Sequence, residues 1–164
     1  MENSLEIKER ANACFRSGDL EEAINLYLEA AEQAESDLKA VCFGNISLCY
    51  YNLEEFEKSL EFTEKALELK TDYVKVRERK IRILMFQGKV KDAKEELGKG
   101  EVVEELKKEV EDTAAKEFEK EKDEMLGKLK DLGNNILGKF GLSLDNFKVQ
   151  QGSGGGYNIN FQNS

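Results

Sequence analysis

The sequence predicts an all-α fold: three antiparallel helix pairs wound into a right-handed superhelix, then a long C-terminal capping helix and a small β-hairpin-like tail. Three observations predict it. An amphipathic helix–turn–helix pattern recurs three times along the 164 residues. The second and third copies lie 34 residues apart, a spacing found in stacked helical repeats. No proline interrupts any of the helices, so no ladder donor is missing and no ring clashes with a preceding turn.

The first copy is "IKERANACFRSGDLEEAINLYLEAAE". Asn3 followed by Glu6 has the spacing of a capping box, which would open the first helix. Gly18 suits the left-handed turn that ends it. The second copy, "FGNISLCYYNLEEFEKSLEFTEKALELK", places Ser59, Thr63 and Ala66 where the first has Ala23, Tyr27 and Ala30, and has Leu53-Glu54 at its turn. The third, "RERKIRILMFQGKVKDAKEELGKG", repeats the pattern with Gly88 and Ala93. Ala23, Ala30, Ala66 and Ala93 are small enough for two helices to cross closely. Leu20, Ile24, Tyr27, Phe56, Leu60, Val90 and Leu97 fill the space around them, and each pair leaves an apolar face for the next to cover. The first and second copies are offset by 36 residues, and the two extra residues fall near Ser36 and Asp37, which we expect in a connecting turn where insertion costs little. The repeats then run over about 4–37, 40–73 and 74–100, giving a repeat domain of 1–100.

After Gly100 the repeat stops. Residues 101–132 read as one long helix, on which Val103, Leu106, Val110, Ala114, Phe118, Met125, Leu129 and Leu132 form a single apolar stripe. We read residues 101–140 as a helical cap over the open face of the third pair rather than a dimerising coiled coil. Residues 141–164 form a strand-bearing tail. "FKVQQ" and "YNINF" alternate apolar and polar residues around "GSGGG". Phe147 and Val149 are expected on one face, Tyr157, Ile159 and Phe161 on another, with a flexible turn between the strands. The glycine run makes a poor phosphate loop, because no Lys-Ser or Lys-Thr follows it and no helix opens after it.

Composition narrows the functional classes. A net charge of −9 argues against nucleic acid as a partner, since an acidic surface repels phosphates. There is no histidine, which removes the usual general base and the commonest metal ligand. No metal-ligand spacing, nucleophile–base pair or cofactor motif is present, so the chain reads as a non-enzyme with no cofactor. Three cysteines without a leader segment read as reduced and cytoplasmic. Cys14 is expected to be buried, and Cys42 and Cys49 to point away from any ligand. No apolar run is long enough to make a membrane a partner.

In stacked helix pairs the first helix of each pair lines a concave groove. Lys8 and Asn12, four residues apart, share a face of the first helix; Lys75 and Arg79 do the same on the fifth; Asn45 takes the matching place on the third. These five residues all offer N–H donors. Such a cluster suits a ligand with two neighbouring carboxylates, as at a protein C-terminus ending in Asp.

These residues, Lys8 and Asn12 in "KERAN", Asn45 in "FGNIS", and Lys75 and Arg79 in "KVRER", resemble the carboxylate clamp of the tetratricopeptide domains of chaperone adaptors. That family has Lys-x-x-x-Asn, Asn and Lys-x-x-x-Arg on its first, third and fifth helices. Ile46-Ser47 depart from the Arg-Ala that often follows the middle Asn. The resemblance implies binding of the Glu-Glu-Val-Asp C-terminal tails of cytosolic heat-shock chaperones, making the chain a co-chaperone adaptor. It implies that Lys8, Asn12 and Asn45 hold the terminal carboxylate, and that Lys75 and Arg79 hold the Asp side chain and nearby backbone oxygens. The segment "EMLGKLKDLGNNILGKFGLSLDNFKV" with "YNINF" is similar to the tail of a cytosolic eukaryotic adaptor of this kind. The family also suggests G-protein contacts, to which no residue here maps and which belong to the alternative; a client protein is a further candidate partner. The alternative is a scaffold that does not read a free C-terminus.

Overall fold

Helix α1 (Ser4–Ser17) opens on the capping box: the Asn3 side chain accepts from the Leu5 and Glu6 backbone, and Glu6 accepts in return from the Asn3 N–H. The computed structural model describes residues 2–151 and 157–161. Six further helices follow: α2 (Leu20–Gln33), α3 (Ser36–Asn52), α4 (Phe56–Leu69), α5 (Val74–Phe86), α6 (Val90–Leu97) and α7 (Glu104–Gly138). A 3-10 turn (Leu144–Asn146) then leads into strands β1 (Phe147–Gln151) and β2 (Tyr157–Phe161). The chain divides into two compact units, residues 1–114 and 115–164, and the division lies inside α7.

In the first unit, consecutive helices pack in sequence from α1 to α6, and α1 also touches α3 as α3 touches α5. The first helices of successive pairs therefore line one side, the arrangement of a repeat superhelix. The turns within the pairs are left-handed at Gly18 (φ 86°), Glu54 (φ 60°) and Gly88 (φ 70°). Glycine takes that conformation without the Cβ clash that Glu54 accepts. Ala23, Ala30, Ala66 and Ala93 are all fully buried. Ser36 and Asp37 lie inside α3, not in a connecting turn: α3 absorbs the extra length as 17 residues against 14 in α1. Neither residue is a helix breaker, so both fit the first turn of α3.

The core joins Ile7, Ala11, Ile24, Tyr27, Ile46 and their neighbours across α1, α2 and α3. A second cluster joins Ile81, Leu84 and Ala93 to Leu106 and Val110 of α7. Glu78 of α5 fixes the start of α7 by accepting the Val103 N–H at 2.9 Å. These contacts explain why the unit boundary falls past Gly100. Beside them, the buried Glu96 carboxylate receives Arg77 and Lys80, so the one acid buried in α6 is paired and hydrogen-bonded.

Cys42 and Cys49 are fully buried, and burial pushes both thiols up to about 11. Cys14 is only half-buried, contrary to expectation. It sits near the end of α1, at the edge of the cluster formed with α2 and α3, where one side stays open. Cys14 is therefore the accessible thiol of the three.

In the second unit the apolar stripe of α7 is bare: Phe118, Met125, Leu129 and Leu132 are 57–64% exposed. Only its first turns, at Leu106 and Val110, are buried. The 3-10 turn folds onto the end of α7. The Leu144 N–H donates to Asn134 Oδ1 at 2.6 Å, and Lys130 pairs with Asp145 at 2.8 Å. Leu144 lies where any side chain at Gly133 would collide with it.

The strands are antiparallel, with Phe147 opposite Phe161 and Val149 opposite Ile159. Opposed residues of an antiparallel pair project to the same side. Phe147, Val149, Ile159 and Phe161 therefore share one face, which corrects the two-face expectation; alternation within each strand does not reveal the register between them. Phe147 and Phe161 meet with ring centroids 5.4 Å apart. The glycine run of the expected flexible turn, and the side chain of Tyr157, lie outside what is described.

Candidate functional site

The five residues singled out from the sequence sit on α1, α3 and α5; Glu9 links Lys8 to Asn12, and Arg79 is bonded to α3. Tyr27 reaches from α2, where its ring is part of the core, and donates its hydroxyl to Asn12 Oδ1 at 2.6 Å. The Asn45 side chain acts on the same hydroxyl in the direction opposite to burial, and more weakly. Burial pushes Tyr27 up to about 12, so it remains a neutral donor. By occupying the Asn12 carbonyl, it turns the Asn12 amide NH2 outward as a donor.

That donor already holds a carboxylate. Asn12 Nδ2 donates to Glu9 Oε2 at 3.2 Å, and Lys8 Nζ lies 3.0 Å from Glu9 Oε1. The Lys8 bond, and after it the Asn12 bond, hold the Glu9 carboxyl below its ordinary value. A carboxylate thus bridges two of the expected clamp donors. The Lys8 side chain is only 17% exposed, which limits the directions its ammonium can take.

Arg79 is built in from α3. Its Nη1 donates to Gly44 O at 2.9 Å and to Ser47 Oγ at 3.1 Å, one residue before and two after Asn45. Ser47 is in turn fixed by buried hydroxyls: Thr63 Oγ1 lies at 2.6 Å, and Ser59 donates to Ser47 O at 2.8 Å. In the first pair the position equivalent to Thr63 is Tyr27, long enough to reach the groove; the shorter Thr63 stops at Ser47. Burial pulls the Arg79 guanidinium down from its ordinary value. Among the described residues neither Arg79 nor Lys75 is ion-paired. Lys75 is exposed, and lines with Arg79, Leu48, Tyr51, Glu78 and Arg82 a depression of about 320 Å³. Arg79 is therefore a partly desolvated cation with its remaining donors unmatched by an acid, the condition an anionic ligand relieves.

Sequence reasoning named the donors but not their supports. Tyr27 was legible only as core, and Glu9 only as one acid among many. Gly44 gave no signal at all, yet a Cβ there would lie 2.9 Å from the Tyr73 ring and 3.0 Å from Val76. The close approach of α3 to α5, and with it the Arg79–Gly44 bond, depends on its absence. Gly44→Ala is expected to lower unfolding free energy by about 1–2 kcal/mol through overpacking, measured by urea denaturation.

Residues 2–72 match the tetratricopeptide repeat family model. Among solved structures, yeast Tom70 is 30% identical over 74% of this chain, with a TM-score of 0.64; the chain spans only 26% of that protein's length. The tetratricopeptide domain of Sgt2 from Aspergillus fumigatus is 24% identical over 73% of this chain and 82% of its own, with a TM-score of 0.58. The first tetratricopeptide domain of Spaghetti (RPAP3), solved bound to the HSP90 peptide SRMEEVD, is 24% identical over 59% of this chain and 77% of its own, with a TM-score of 0.54.

Proposed function

We propose that this chain is a non-enzymatic co-chaperone adaptor that holds the free C-terminal tail of a heat-shock chaperone in the groove of its helix pairs. Lys8, Asn12 and Asn45 take the terminal carboxylate. Lys75 and Arg79 take the side chain of a C-terminal Asp and neighbouring backbone oxygens. The observation that carries the reading is the Glu9 carboxylate held jointly by Lys8 and Asn12: the first two donors are spaced to share a carboxylate. The unpaired Lys75 and the desolvated Arg79 support a second anionic group a short distance away. The fold is one that, in Spaghetti, accommodates SRMEEVD.

The groove is open, so affinity is expected to be modest, roughly micromolar or about −8 kcal/mol. Anisotropy of SRMEEVD labelled at its N-terminus tests this. Saturable binding that weakens with salt supports the reading, and no binding at high micromolar protein contradicts it.

Glu9 adds a second test. It competes with the incoming carboxylate for the Lys8 ammonium and the Asn12 amide. Glu9→Gln removes the competing charge and is expected to tighten SRMEEVD binding roughly two- to fivefold at low salt. An unchanged or weaker affinity would mean that Glu9 does not share the ligand's seat.

A further inference from the structure

Among the described residues, the apolar stripe of α7 beyond residue 114 is bare. Phe118, Met125, Leu129, Leu132 and Ile136 are 54–64% exposed. They fall into a heptad pattern: Ala115, Lys122, Leu129 and Ile136 at one seam position, with Phe118, Met125 and Leu132 at the other. The seam covers a little over three heptads, the length at which such a pattern specifies paired helices. The contacts made by the 3-10 turn fall on Lys130, Gly133 and Asn134, beside the seam and not on it. The local fold covers one flank of the helix and leaves the coiled-coil face bare. An exposed apolar stripe of this kind marks an interaction surface.

The sequence of the same segment identifies the occupant. Residues 115–124 carry five acids against three lysines, and residues 125–138, the rest of the helix, carry two lysines against one acid. Two copies laid antiparallel set the acidic half of each on the basic half of the other. The antiparallel register is also self-consistent in the seam: Phe118 meets Ile136 of the second copy, Met125 meets Leu129, and Lys122 meets Leu132. Lys122 lays its aliphatic stem on leucine while its ammonium stays with Glu119, 2.8 Å away. A parallel, in-register pair would instead face Lys122 with a second Lys122 and stack like-charged halves. We infer that residues 115–138 form an antiparallel two-helix interface with a second copy of this chain.

Sedimentation equilibrium of the full chain, from micromolar to several hundred micromolar, tests the inference. The mass is expected to rise from 18.6 kDa towards twice that value. The double variant Met125→Lys with Leu129→Lys, both at exposed positions, is expected to stay at the lower mass while keeping the melting transition of the helix pairs. Orientation is read by disulfide trapping in a Cys14→Ser background: chains carrying Phe118→Cys should cross-link to chains carrying Ile136→Cys and not to themselves. A mass of 18.6 kDa at every concentration would overturn the proposal, and would leave the stripe to a different partner. A dimer that survives the double variant, or Phe118→Cys chains linking only to each other, would overturn it equally.

Discussion

A chain ending at Lys99 is expected to melt about 15 °C or more below the full chain. The third helix pair buries Ile81, Leu84 and Ala93 against Leu106 and Val110, which this truncation removes. Burying a Leu or Val side chain contributes about 1.5–3 kcal/mol, so losing both, with the Glu78–Val103 bond, costs about 4 kcal/mol. For a unit of this size each kcal/mol moves the melting temperature by about 4 °C or more. A chain ending at Ala114 supplies the control. It keeps both apolar residues and the bond, and is expected to melt near the temperature of the repeat unit in the full chain. Calorimetry or circular dichroism of the three chains reads the difference. If the Lys99 chain melted with the parent, the first turns of α7 would contribute no stability.

The second large effect is on binding. Lys8→Ala and Lys75→Ala are each expected to weaken SRMEEVD binding by about 2 kcal/mol, roughly thirtyfold, because each removes a charge-assisted bond to a carboxylate. Lys75 is exposed and its loss should leave the melting temperature unchanged. Arg79→Ala is expected to weaken binding at least as much and also to lower stability, because Arg79 ties α5 to Gly44 and Ser47 of α3. Titration calorimetry with parallel thermal melts separates the two effects. Full affinity in both lysine variants would remove them from the site.

Much of the helical body was legible because periodicity within a helix reports what that helix buries. The four alanines, the capping box at Asn3 and the turns at Gly18 and Gly88 depend on residues a few positions apart, and all stand as read. What was illegible depends on pairings between elements. Tyr27 reads as core from its own helix, and only the packing of α2 on α1 brings its hydroxyl to Asn12. Gly44 matters because of where Tyr73 lies. The hydroxyl cluster of Ser47, Ser59 and Thr63 looks like three small residues until α3 and α4 meet. The hairpin faces depended on register, and the fate of the α7 stripe on how far the third pair extends to cover it.

The most direct test of the carboxylate reading compares one peptide in two chemical forms. SRMEEVD with a free C-terminus and the same peptide as its C-terminal amide differ only in the charge offered to Lys8, Asn12 and Asn45. Titrated calorimetrically into the full chain at physiological salt, the free acid is expected to bind with a roughly micromolar Kd, and the amide at least tenfold more weakly. Equal affinity for the two forms would contradict the account, because the groove would then be recognising an internal segment and not a chain terminus.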